Sequence, residues 1–319
     1  MLGRTGLRVS EIGHGLWGMG DWSGSSDDRS SAALRASLAA GCNFYDSAAV
    51  YGDGRSDALL GALVQANPGA GIVTAGKVPP KNLRWPASAG DRFGDVFPLD
   101  HVLASAHASR ARMGVAAIDV LQLHVWEDAW ADDPEFRRVA AEVKKQGLAH
   151  LFGLSLNRWE PSNGVRAIRT GVVDTVQVIY NVFDQAPEDE LFPACREYGV
   201  GVIARVPLDE GSLAGNLTMD TRFPADDWRA RYFGPENLAP TVQRVDALKK
   251  IVPHGMTLAE LALRFILQNP EVSTIVVGMR SRANVVANCA VSDGTRLDSE
   301  LVVDMGKHRW DGVPAAWSD

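Results

Sequence analysis

Cysteine is scarce and scattered: Cys42, Cys195 and Cys289 are the whole complement, an odd number with no CxxC pair. That argues against a disulfide framework or a cysteine-based zinc site, and a reducing cytoplasm is the compartment expected for such a chain. Long apolar runs are missing as well. No stretch approaches the roughly 18 consecutive apolar residues of a membrane helix. The opening MLGRTGLRVSEIG has no basic segment followed by an apolar one, so no signal peptide is expected. Positive charge is in deficit, since 32 Lys and Arg face 39 Asp and Glu for a net charge of −7. Neither nucleic acid nor an anionic membrane is therefore expected as the main partner. No low-complexity tract or Pro/Gly/Ser linker divides the chain, and 1–319 reads as one domain. The seven histidines include no HxH or HxxxH pair at a strand end, which places a metal-dependent barrel hydrolase or isomerase last and leaves no metal expected. The glycines of GHGLWGMG lack the acidic residue about 20 positions on that a doubly wound dinucleotide fold would supply.

What the sequence does contain is a rhythm: a short apolar run, a loop, then a segment of helical period. The runs are 12–17, 43–46, 72–77, 118–124, 151–155, 175–180, 200–206 and 273–277. Helices are expected at 30–40, 55–65, 101–113, 134–146, 161–169, 188–197, 257–268 and 282–290. Strands separated by crossover helices must be parallel, and eight such units predict an α/β chain closed into an eight-fold barrel. The segment 2–10 predicts a small hairpin ahead of the first strand. Gly41, Gly147 and Gly199 stand just past helix ends, where a left-handed residue ends a helix cheaply. The third connection and 207–240 are long, as functional loops often are.

In such a barrel the chemistry belongs at the carboxyl ends of the strands. Polar residues do collect there: Asp46, Lys77, His124, Ser155, Asn157 and Gln177. The stretch NFYDSAAVYGDGRSDALLGAL adds Tyr51, five residues after Asp46. Taken singly, each has an ordinary reading: a loop or ion-pair carboxylate, a core aromatic, a satisfied interior histidine or amide. Neighbouring Tyr45, one position before Asp46, points to the helix layer by strand alternation. As an ordered set, Asp46, Tyr51, Lys77 and His124 resemble the aldo-keto reductase superfamily, and the resemblance runs nearly the length of the chain.

That resemblance implies a (β/α)8 barrel with an N-terminal β-hairpin and an NADP(H)-dependent reduction of an aldehyde or ketone, or in reverse the oxidation of a sugar or alcohol. It implies Tyr51 as general acid and base. Lys77 would lower the phenol's pKa, Asp46 would hold Lys77 charged, and His124 would hydrogen-bond the carbonyl oxygen. Ser155, Asn157 and Gln177 match residues that hold the nicotinamide amide. The loop ARVPLDEGSLAG resembles the one covering nicotinamide and pyrophosphate, with Arg205 and Val206 where the family has an aromatic residue and serine. Its Pro207, Leu208, Gly211 and Ser212 complete that wall, with Trp17 and Asp46 opposite. At the last strand, Gly278, Arg280, Ser281, Arg282 and Asn284 open a helix N-terminus suited to a 2′-phosphate, and Asn288 matches an adenine contact.

The substrate pocket is expected between Trp17, Tyr51, Trp85, Val125 and Trp126, with Phe93, Trp228, Tyr232 and Phe233 in the long loops nearby. The terminal HRWDGVPAAW is expected to close over it. An alternative reading is a nicotinamide-binding module with little turnover.

Overall fold

The computed structural model describes residues 1–20, 24–157 and 160–311. Eight strands form one closed barrel in sequence order: β1 (Ile12–Gly15), β2 (Phe44–Asp46), β3 (Val73–Val78), β4 (Ile118–Leu123), β5 (Ala149–Ser155), β6 (Thr175–Ile179), β7 (Gly201–Arg205) and β8 (Val272–Gly278). Every neighbouring pair is parallel, and β1 closes on β8 with His14 opposite Val277. The α/β eight-fold barrel is thus the observed fold.

The outer ring comprises α1 (Asp27–Ala39), α2 (Arg55–Ala66), α3 (Leu99–Met113), α4 (Pro134–Lys145), α5 (Val165–Arg169), α6 (Leu191–Tyr198), α7 (Leu258–Gln268) and α8 (Arg282–Cys289). Helix α4 illustrates how the sequence builds them. Asp133 caps it by accepting from the Glu135 N–H, Pro134 occupies the first turn, and Phe136, Val139, Ala140 and Val143 make the buried stripe. The expected glycine stops hold, with Gly41, Gly147 and Gly199 all at positive φ.

Strand alternation separates two environments. On one parity Tyr45 faces the helices, where its hydroxyl meets Ser37 and donates to the Cys42 carbonyl, and its ring stacks on His14. His14 is a satisfied core histidine, bonded to Ser37 and the Met279 carbonyl, and burial pushes its pKa down to about 4. On the other parity Phe44, Val73, Ala75, Val120, Ile203 and Val276 fill the barrel's lower interior.

Two expectations need correction, and one helix adds to them. Segment 2–10 makes no ladder of paired strands. It turns through a Leu2 N–H bond to the Leu7 carbonyl (2.9 Å) and seals the barrel base with the fully buried Leu2, because an apolar plug meets the interior more directly than a free hairpin would. The long seventh connection holds a helix, Pro235–Lys249. Pro235 sits in the first turn, where its missing N–H costs nothing, and burial of Leu238, Val242, Val245 and Leu248 offsets the interior Pro240. A further helix, Ser299–Gly306, follows the last barrel helix under an Asp298 cap.

The base plug makes a sharp prediction. Gly3 has φ +50°, and a Cβ there would lie 2.4 Å from the Gly199 carbonyl oxygen, whereas Gly6 at φ +76° has open space around it. Gly6→Ala should cost only about 1 kcal/mol of left-handed strain. Gly3→Ala adds a backbone collision and should cost about 3 kcal/mol or more, read by chemical denaturation.

Candidate active site

The polar layer sits directly above the apolar one on the same inward parity. Asp46 lies two residues beyond Phe44, Lys77 two beyond Ala75, and Gln122 two beyond Val120. Lys77 Nζ donates to Asp46 Oδ2 at 2.5 Å and to the Ser47 carbonyl at 3.0 Å. The other carboxylate oxygen, Oδ1, accepts from Gln177 Nε2 at 2.9 Å and from Gln122 Nε2 at 3.4 Å. Both members of the ion pair are buried.

Tyr51 reaches this pair from the loop after β2. Its N–H bonds the Ala48 carbonyl, and Gly20 lies so close that a Cβ there would stand 2.4 Å from the Tyr51 carbonyl carbon. Lys77 Nζ is 5.2 Å from the Tyr51 ring centre, and the His124 ring meets the same ring edge-on at 5.8 Å.

The electrostatics follow from burial and charge together. For Tyr51, burial raises the pKa and outweighs the lowering by Lys77 and Arg205, so the phenol keeps its proton above the usual range. The Lys77 effect has the expected sign, but the net shift is upward rather than downward. For Lys77, burial opposes the charge, yet Asp46 and Tyr51 together raise the pKa, and the ammonium persists. Burial, then Lys77 and Arg205, push His124 well below 6.5, so its imidazole is neutral at pH 7, and its buried Nδ1 has no hydrogen-bond partner.

Two cavities meet at this point. One, of about 440 Å³, is walled by Trp17, Trp85, Val125 and Trp228. The other, of about 730 Å³, runs past Val206, Pro207, Leu208, Gly211, Gly278, Arg280 and Asn284. Tyr51, His124, Gln177 and Arg205 line both, while Asp46 lines the larger and Ser155 and Asn157 the smaller. The loop forming the larger wall is strained: Val206, Asp209 and Glu210 are left-handed at φ 53°, 42° and 53°. Asn181 Nδ2 holds the Val206 carbonyl at 3.1 Å, and Arg205 Nη2 donates to the Leu156 carbonyl at 3.0 Å.

Several expected residues fall elsewhere. Trp126 is core, donating to the Asn163 carbonyl and packed on Phe136, because it points to the opposite side of the strand end from Val125. Phe93 packs on Phe97 and Trp130, and Tyr232 and Phe233 belong to a satellite cluster, so only Trp228 of the seventh loop's aromatics faces the pocket. Ser212 is buried and donates to Asp209 rather than facing the groove. Ser281 caps α8 by accepting from the Asn284 N–H. Arg282 and Asn288 stand outside the groove lining, the first exposed and the second buried. Of the terminal HRWDGVPAAW, 312–317 lie outside the described residues, and Trp310 donates its N–H to the Phe183 carbonyl.

The sequence profile described as "Aldo/keto reductase family" matches residues 11–309. The chain belongs to the aldo/keto reductase family. Among relatives, a "Probable voltage-gated potassium channel subunit beta" of Oryza sativa subsp. japonica is 29% identical, over 95% of this chain and 93% of its own. An "NADH-specific methylglyoxal reductase" of Escherichia coli (strain K12) is 26% identical, over 95% of each. The solved aldo-keto reductase AKR11C1 from Bacillus halodurans, in its holo form, shares the fold at a TM-score of 0.76 and 22% identity, covering 100% of this chain and 98% of its own. No helix among the described residues is long and apolar enough to cross a membrane.

Behind the reductase-type ion pair lies a network that sequence reasoning missed. The Ser47 hydroxyl donates to the buried Asp57 at 2.6 Å and meets Ser56 Oγ at 2.7 Å, and Arg112 on α3 pairs with Asp57 at 3.2 Å. Ser47 thereby fixes the carbonyl that accepts from Lys77. The signal was the polar SD inside RSDALLGAL, which reads as a solvated helix start until α3 covers it. Asp57→Asn should cost about 1–3 kcal/mol in stability and lower kcat more than it changes KM. Steady-state kinetics identical to the parent would detach this network from the ammonium.

Proposed function

We propose that this chain catalyses NADP(H)-dependent hydride transfer between the nicotinamide and an aldehyde or ketone, or the reverse oxidation of a sugar or alcohol, with Tyr51 as general acid and base. The observation carrying this reading is that Tyr51 and His124 line both cavities, at their junction and beside a buried ammonium.

The residues present fit a dinucleotide. Asn157 is buried, and its Oδ1 has no hydrogen-bond partner, which suits an amide donor. Ser155 and Gln177 stand beside it, and Arg205, Val206, Pro207, Leu208 and Gly211 would cover the ring and pyrophosphate. Arg280, half-buried against Gly18, would meet a 2′-phosphate, with Asn284 nearby. When bound, the cofactor supplies or takes the hydride.

The protein's own contribution is proton control. A carbonyl oxygen gaining charge needs a donor and a positive field held ready. Tyr51 holds the proton, Lys77 and Arg205 favour the phenolate left behind, and neutral His124 orients the oxygen by donating to it. Asp46 keeps the ammonium charged, and in the oxidising direction Tyr51 takes the proton back.

NADPH consumption with a panel of aldehydes and ketones should fall about 10²–10⁴-fold in Tyr51→Phe, with NADPH still quenching tryptophan fluorescence. Equal turnover would remove Tyr51 from the role. NADPH binding with no turnover in the parent would favour the second reading, a cofactor-binding subunit, which draws on the similarity to the channel subunit. Arg280→Ala should weaken NADPH about tenfold or more and NADH far less. Equal weakening would contradict the NADP(H) preference.

A further inference from the structure

The wall of the smaller cavity carries more carboxylates than cations among its described residues. Glu127, Glu160 and Glu210 line it, and among the described lining residues the only cation is Arg205 at the end of β7. Glu127 follows the core Trp126 in the β4–α4 connection, so its backbone is anchored by a packed neighbour. It is half-buried, and among the described residues its carboxylate has neither a hydrogen bond nor an ion pair. Glu160 is exposed and accepts a long bond from Asn163 Nδ2 at 3.4 Å.

An ionised carboxylate accepts hydrogen bonds and donates none. A cavity walled by Trp17, Trp85 and Trp228 with carboxylates around it has flat apolar faces for C–H surface and, at Glu127, an acceptor for O–H donors. The same carboxylates repel an incoming anion, and a half-buried unpaired charge does so more strongly than an exposed one, since less water screens it.

We infer that this cavity takes uncharged, hydroxyl-bearing carbonyl compounds and turns carboxylated ones away, with Glu127 as the specificity-determining residue. The inference rests on the proposed carbonyl chemistry for the identity of the reaction, but the selectivity resides in the pocket wall and has a readout of its own.

The test compares 4-formylbenzamide with 4-carboxybenzaldehyde, which share shape and reacting group and differ in charge. The holoprotein should favour the amide by about tenfold or more in kcat/KM. Glu127→Gln, which removes the charge and keeps hydrogen-bonding capacity, should narrow that ratio to within about threefold, and raised salt should narrow it in the parent. D-glyceraldehyde should be preferred to propanal, and Glu127→Ala should shrink that preference. A ratio near one in the parent, a preference for the acid, or a ratio unmoved by Glu127→Gln would overturn the inference. Quenching of the wall tryptophans by the same two benzaldehydes, with NADP+ in place of NADPH so that no hydride is available, gives the ratio without turnover. Discrimination in binding with no reduction of any aldehyde would sink the proposed reaction and leave the pocket's selectivity standing.

Discussion

The site depends on one ion pair, Lys77 on Asp46 at 2.5 Å, buried inside the barrel mouth. Burying both charges is expensive, and their attraction offsets that cost only when the remaining bonding capacity is filled. Here it is filled from several strands. Gln122 and Gln177 saturate the second carboxylate oxygen, and the Ser47 carbonyl takes another ammonium proton. Leucine and methionine in these places would pack more cheaply. The pair therefore makes sense as an instrument, a fixed positive field beside a phenol that burial alone would leave too weak an acid.

The barrel makes such a pair affordable. Because side chains alternate along each strand, a single register puts Phe44, Ala75 and Val120 in the lower interior and Asp46, Lys77 and Gln122 directly above them. The apolar layer and the Leu2 plug close the lower end, and the polar layer opens upward onto the two cavities. Strain is concentrated in the wall of the larger cavity, at Val206 and the turn that follows, and is held by side chains such as Asn181. A β-branched residue in the left-handed region does not persist without such restraint.

Much of this was legible in the sequence because it depends on period and position. Strand runs fixed inward parity, so Asp46 and Tyr45 could be sent to opposite sides of β2 from their order alone. Asp46, Lys77 and His124 stood out by their places at strand ends, whereas Tyr51, five residues past its strand, joined them only through the family resemblance. What escaped notice depended on three-dimensional cover. Gln122 is one polar residue in an apolar strand and was not singled out, and its bond to Asp46 spans the barrel interior. Asp57 looked solvated until Arg112 of α3 packed over it. Pro240 concealed the helix Pro235–Lys249, and composition could not tell pocket aromatics from core ones: Trp85 meets His124 while Trp126 meets Phe136. Ser212 and Ser281 suited a phosphate by type, but each satisfies a neighbouring group of its own chain instead.

The central claim is that the buried ammonium acts on the acidity of Tyr51. The most direct measurement is an alkaline titration of ring-labelled tyrosine by NMR, with the Tyr51 signal assigned by its loss in Tyr51→Phe, compared between the parent and Lys77→Met. The account predicts that Tyr51 begins to ionise at lower pH in the parent and that its titration moves upward when the ammonium is removed. A Tyr51 titration unchanged or lowered in Lys77→Met would contradict it.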